Sequence, residues 1–169
     1  MSLEARVARL EATEAVRRTF NRYLYYLDGG RTDDLLAVFA VDATMEAMNY
    51  PPGSGGTERY EGREKIAALF RPLRPGAHRH NSTNVSIAVA DDAQTASMTA
   101  YFVTTFPDGI QGGFYEGTLR AMSADPAATW EIVTWRVSSQ WGWHAKDGFA
   151  TYAEPIGAFT VGDGRPAAP

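Results

Sequence analysis

The chain has 169 residues, 44% of them hydrophobic, with 16 basic and 20 acidic side chains for a net charge of −4. That length fits one domain, able to bury roughly two-thirds of the surface its unfolded chain exposes, and with no basic block to neutralise phosphates it is not expected to bind nucleic acid. Cysteine is absent, which excludes disulfides, thiolate nucleophiles, zinc ribbons and iron–sulfur clusters.

Apolar residues at Leu3, Val7, Leu10, Val16, Phe20, Leu24 and Leu27 recur mostly at spacings of three or four, which predicts a long first helix with one apolar stripe. Gly29-Gly30 ends it. Thr32 is the expected cap of a short second helix carrying Leu35, Leu36, Val38 and Phe39. The stretch Pro51-Pro52-Gly53-Ser54-Gly55-Gly56 reads as a lid or rim, because its glycines lack the strand-then-helix setting and the lysine of a phosphate cradle. A third helix follows Gly62 with Ile66, Leu69 and Phe70, and ends at Pro72.

Beyond Pro75-Gly76 the period changes to two, predicting strands over Val85–Val89, Thr95–Phe106, Gly113–Met122 and Trp130 to about Trp141. Asp91-Asp92, Pro107-Asp108-Gly109 and Asp125-Pro126 supply the reversals between them. Helices followed by a strand meander predict an α+β fold, an antiparallel sheet with one face against about three N-terminal helices. A single domain is expected over residues 1–161, with a disordered Gly- and Pro-containing tail over 162–169. The aromatic segment 141–161 is expected to close a pocket or pack on another subunit. No leader pattern opens the chain and no apolar run nears the ~18 residues of a membrane span, so a cytoplasmic protein without membrane attachment is the expectation.

Two polar residues stand out. Asp28, in "RYLYYLDGG", lies at the edge of the apolar stripe and at a helix C-terminus, where the macrodipole disfavours negative charge by ~0.3–1 kcal/mol. It either begins the Asp-Gly-Gly turn or pairs with a histidine, whose tautomer and orientation it would then fix for use as a base. His80, in "RHNSTN", is the candidate partner. His78 and His80 share one strand face but no third ligand is marked by spacing, so no metal site is expected, and His78 is read as solvated. His144 is read as a loop or interface residue. Tyr23 and Tyr25, near Asp28, each read either as a donor to a developing oxyanion or as an amphipathic core residue. Arg136 either binds an anionic group or faces solvent.

The ordered set "Y-x-x-x-L-D-x-G", "D-A-T", "Y-E-G-R-E-K-I", "H-x-x-T-N-V", "G-G-F-Y-E-G-T-L-R" and "W-E-I", spread over roughly residues 5 to 140, resembles the SnoaL-like branch of the nuclear-transport-factor-like superfamily. The resemblance implies a cone of curved antiparallel sheet closed by helices around an apolar pocket. In similar members, scytalone dehydratase and hexachlorocyclohexane dehydrochlorinase, an Asp–His pair occupies the positions matching Asp28 and His80. The cationic residues that the dehydrochlorinase carries near its pair are matched here by Tyr23 and Trp135. The expected substrate pocket comprises Asn84, Tyr115, Trp135, Phe20, Leu24 and Tyr50.

The expected function is therefore a cofactor-independent lyase or isomerase, of dehydratase, double-bond isomerase or cyclase type. Its catalytic residues would be His80, Asp28, Tyr25 and Tyr23, and its partner a small apolar molecule such as a polyketide, steroid or aromatic intermediate. A homo-oligomer, trimer or dimer, is implied by the resemblance. The alternatives are the non-catalytic small subunit of a ring-hydroxylating dioxygenase, and a ligand-binding module without chemistry.

Overall fold

The computed structural model describes residues 2–49, 55–72, 74–125, 127–146, 148–151, 160–161 and 165–166. Helix α1 runs over Leu3–Asp28, capped by the Ser2 hydroxyl, which accepts from the Ala5 N–H at 3.2 Å. Its buried residues Ala12, Ala15, Val16, Thr19, Phe20, Tyr23 and Leu27 form one stripe. Leu3, Val7 and Leu10, expected on that stripe, instead lie roughly 140–160° around the helix from it, and Leu3 is 71% and Leu10 69% exposed. Helix α2 is only Thr32–Ala37, with Arg31 rather than Thr32 at its cap.

Phe39 belongs not to α2 but to strand β1, Phe39–Met48, which pairs with β2, Thr57–Glu61. Neither strand was expected. The apolar run 35–39 continues the helical pattern into β1, and β2, Thr-Glu-Arg-Tyr-Glu, is a polar edge strand without alternation. Helix α3, Arg63–Phe70, turns Ile66, Ala67 and Phe70 inward, and the Arg63 guanidinium ties its start to the Phe39 carbonyl, Nε donating at 3.0 Å.

The remaining strands are β3 (Arg79–Val89), β4 (Thr95–Phe106), β5 (Gly109–Ala121), β6 (Trp130–His144) and β7 (Gly148–Thr151). The meander is as expected, although β3 starts earlier than the period-two pattern alone predicts. The sheet order is β2-β1-β6-β5-β4-β3, with β7 also on β6. The fold class is the expected α+β, with one difference: β1 lies parallel to β6, so the sheet is mixed. Register shifts in the β1·β6, β3·β4 and β5·β6 pairs bend it, since each bulge sharpens the local twist.

Tyr23 is the centre of the aromatic core. Its ring meets those of Phe39, Phe70, Tyr115 and Trp135 edge-on, at centroid distances of 5.9, 6.4, 5.8 and 5.1 Å, the geometry favoured by ring quadrupoles. Among the described residues no helix is long and apolar enough to cross a membrane. Of the tail from residue 162, residues 165–166 pair with 160–161; the rest of that expectation, with Tyr50 and residues 51–54 of the expected lid, lies outside the described residues.

The end of α1 is fastened to the segment entering β3. The Gly76 N–H donates to the Asp28 carbonyl at 3.1 Å. Gly30 holds φ +63, and a Cβ there would sit 2.5 Å from the Pro75 ring. Left-handed backbone and overpacking each cost on the order of 1–3 kcal/mol for a side chain. Gly30→Ala is therefore expected to destabilise the fold by about 2–4 kcal/mol, measurable as a lowered urea midpoint.

Candidate active site

Asp28 is the last residue of α1 and His80 the second of β3, and the fastening just described brings them together. One carboxylate oxygen, Oδ1, lies 2.6 Å from His80 Nδ1, and the other, Oδ2, accepts the His80 backbone N–H at 3.0 Å. Both oxygens are thus committed to one residue, which fixes the imidazole plane and leaves Nε2 as the ring nitrogen not held by the carboxylate. The side chains are 11% exposed for His80 and 19% for Asp28. Burial alone would raise the Asp28 carboxyl, but the hydrogen bonds from the His80 ring and backbone, with the charges of His80 and Arg79, outweigh it and hold the group below its ordinary range.

His80 opens onto a cavity of about 420 Å³, within the usual range for small-molecule sites. Tyr23 and Leu27 of α1, Met45, Ala47 and Met48 of β1, and Leu69 and Phe70 of α3 give it an apolar wall. The facing wall is the inner side of β3, β4 and β5, where His80 pairs with Thr104 and Thr104 with Gln111 in register. Phe102 and Tyr115 form its floor, their rings 4.7 Å apart. Burial, with the Tyr23 and Asp28 charges adding to it, pushes the Tyr115 phenol far up. Tyr23 is also raised, by burial first, opposed by the Trp135 indole and assisted by the Asp28 charge. The opposition is partial, since Trp135 Nε1 is buried without a hydrogen bond of normal geometry. Both phenols stay protonated and are donors.

Several expected site residues lie elsewhere. Tyr25 is 70% exposed, about 180° around α1 from the centre of its buried stripe, and packs only edge-on against Tyr26, with centroids 6.3 Å apart. Phe20 and Trp135 are core residues behind the cavity, Phe20 edge-on to Tyr115 at 5.8 Å and Trp135 stacked on it at 5.4 Å. Leu24 is partly buried against the core but does not line the cavity. Asn84 sits at the β3 bulge with φ 52, exposed and off the inner face. Arg136 faces the opposite side of the sheet, paired with Glu46 at 2.9 Å and Glu116 at 3.4 Å.

Conversely, His78 and His144 line the cavity mouth, on either side of Phe106 at ring distances of 5.0 and 6.1 Å. Burial and the neighbouring His80 hold His78 below its ordinary range, against the pull of Asp28. Thr104 and Gln111 were not anticipated. Thr104 shares the strand parity of the buried Met98, Ala100 and Phe102, so a hydroxyl at a core-facing position was the available signal. Among the described residues no three histidine or acidic side chains gather to hold a metal ion.

The family model for the SnoaL-like domain matches residues 8–136. The chain belongs to the SnoaL-like domain family. Among curated protein sequences none matches it. Solved structures similar to this SnoaL-like protein include a candidate scytalone dehydratase from Novosphingobium aromaticivorans, 21% identical over 90% of this chain and 98% of that one, with a TM-score of 0.66. Hexachlorocyclohexane dehydrochlorinase LinA-type3 from Novosphingobium barchaimii is 15% identical over 87% and 94%, with a TM-score of 0.62. The β subunit of a candidate aromatic-ring-hydroxylating dioxygenase from Novosphingobium aromaticivorans is 16% identical over 76% and 88%, with a TM-score of 0.58. At these identities the likeness establishes the fold.

A carboxylate held below its unfolded pKa stabilises the native state fully above that value, near ~3.9, and its contribution fades as pH falls through the depressed folded value. The stability difference between the wild type and Asp28→Asn is therefore expected to be largest near neutrality and to shrink below pH ~4, as read from urea unfolding at pH 7 and pH 3.

Proposed function

We propose that this protein is a cofactor-independent lyase or isomerase, of dehydratase, double-bond isomerase or cyclase type, acting on a small, largely apolar molecule such as a polyketide, steroid or aromatic intermediate. The observation that carries the reading is the 2.6 Å contact between Asp28 and His80 at the wall of a cavity whose α1, β1 and α3 side is apolar. His80 removes a carbon-bound proton through Nε2, and Asp28 orients the ring and stabilises the imidazolium that forms. Tyr23, and not Tyr25, supplies the phenol donor to the developing oxyanion, with Tyr115 beside it in the same cavity. The proton then returns to another carbon in an isomerisation, or leaves with a departing hydroxide as water in a dehydration.

The similarity to a dioxygenase β subunit keeps a non-catalytic, assembly-only role as the second reading. A cavity with an oriented imidazole favours the enzyme, since an assembly subunit has no use for either.

We also propose a homo-oligomer, dimer or trimer. Leu3, Val7 and Leu10 are exposed together on the side of α1 turned away from its buried stripe, and a second copy would bury them. Light scattering is expected to give a multiple of 18.5 kDa for the wild type and a monomer for Leu3→Glu/Leu10→Glu.

The acid–base assignment is tested by hydrogen–deuterium exchange at the α-carbon of 2-tetralone in D2O, a bicyclic ketone of suitable size. Exchange above buffer background is expected, falling ~10²–10⁴-fold in His80→Ala, the usual contribution of a positioned base, and substantially in Asp28→Asn. Rates within threefold of wild type in both variants would end this reading.

A further inference from the structure

The polar wall of the cavity holds two side chains whose hydrogen-bonding capacity is unspent. Thr104 is 1% exposed, and its hydroxyl has no partner. Gln111 Oε1 is likewise buried and unpartnered. The two residues are directly opposed across β4 and β5, close enough for their side chains to meet one small group, and both line the cavity. Thr104 is in turn directly opposed to His80 across β3 and β4. A buried polar atom left unpaired costs about 1–3 kcal/mol, so a pair of them is favoured when a ligand completes their bonds. The apolar wall of α1, β1 and α3 offers neither a donor nor an acceptor for this beyond the Tyr23 phenol.

We infer that Thr104 and Gln111 form a recognition subsite for a hydroxyl group of the substrate, in the same register row as the base and beginning on the neighbouring strand. The chemistry is complementary: the Thr104 hydroxyl donates to the substrate oxygen, and the substrate O–H donates to Gln111 Oε1. A halogen or a hydrocarbon edge cannot supply that donor, so a site of this kind discriminates against both far more strongly than apolar contact can. This inference rests on the functional reading above and narrows it, from small apolar molecules in general to hydroxylated ones such as phenols, hydroxyketones and enols.

The subsite is tested by binding, independently of turnover. Equilibrium dialysis gives the affinity of the protein for 2-naphthol and for naphthalene, and the ratio of the two is compared among variants. Thr104→Val, nearly isosteric but without the hydroxyl, and Gln111→Leu are each expected to lower the naphthol-to-naphthalene ratio at least fivefold. Thr104→Ser is expected to keep it, and His80→Ala to leave it within twofold of wild type. A wild-type ratio in either Thr104→Val or Gln111→Leu overturns the inference, including the case in which the two groups do no more than hold a water. Loss of the ratio in His80→Ala overturns it too, because the imidazole would then be the group that reads the hydroxyl. The two proposals fail separately: loss of the ratio test leaves tetralone exchange by His80 standing, and an intact ratio with no exchange removes the base and keeps the subsite.

Discussion

The architecture of the site depends on one carboxylate bound twice by one residue. Asp28 reaches the His80 ring with one oxygen and its backbone N–H with the other, so the side chain that orients the imidazole also fixes the first turn of β3 against the end of α1. Charge placed at a helix C-terminus is unfavourable, and here the cost is offset by two hydrogen bonds and the Arg79 charge, which together depress the Asp28 pKa despite its burial. Gly30 against Pro75, and the Gly76 N–H on the Asp28 carbonyl, hold the backbone where those bonds are possible.

Around this junction the sheet and helices divide the cavity by chemistry. The α1, β1 and α3 side is made from the same apolar faces that build the core, continuing outward from Tyr23, Phe70 and Met45. The β3, β4 and β5 side carries its polar groups at inward positions of the strand alternation, in the row His80, Thr104, Gln111. Farther out, His78, Phe106 and His144 ring the mouth. Hydrophobic burial thus provides the chamber, and a single row of pairing across three strands lines one side of it with polar side chains.

Much of this was legible in the sequence. The helical period of α1, its glycine stop, the three helices and the four strands β3–β6 follow from periodicity and turn chemistry, whereas spacing alone left Asp28 open between a turn and a dyad, and the family resemblance paired it with His80. Strands β1 and β2 were not, because an apolar run that suits a helix also suits the start of a strand, and a polar edge strand has no pattern to show. Tyr25 was misplaced because a three-residue offset puts it on Asp28's side of the helix, about 60° away, but on the flank turned farther from the buried stripe. Arg136 could not be assigned by parity, since bulges in β6 shift the phase between its two ends. His78 and His144 were read as peripheral because the mouth they form joins the entry to β3 with the end of β6, a closeness that only tertiary structure supplies.

The division of the cavity into an apolar and a polar wall has a stereochemical consequence. With His80 and Thr104 acting as proposed, a flat ligand laid against the α1–β1–α3 surface would show its opposite side to the imidazole, and a hydroxyl held beside Thr104 would keep it from turning over. Proton transfer would then always involve the same enantioface, so any new stereocentre would be made in one hand.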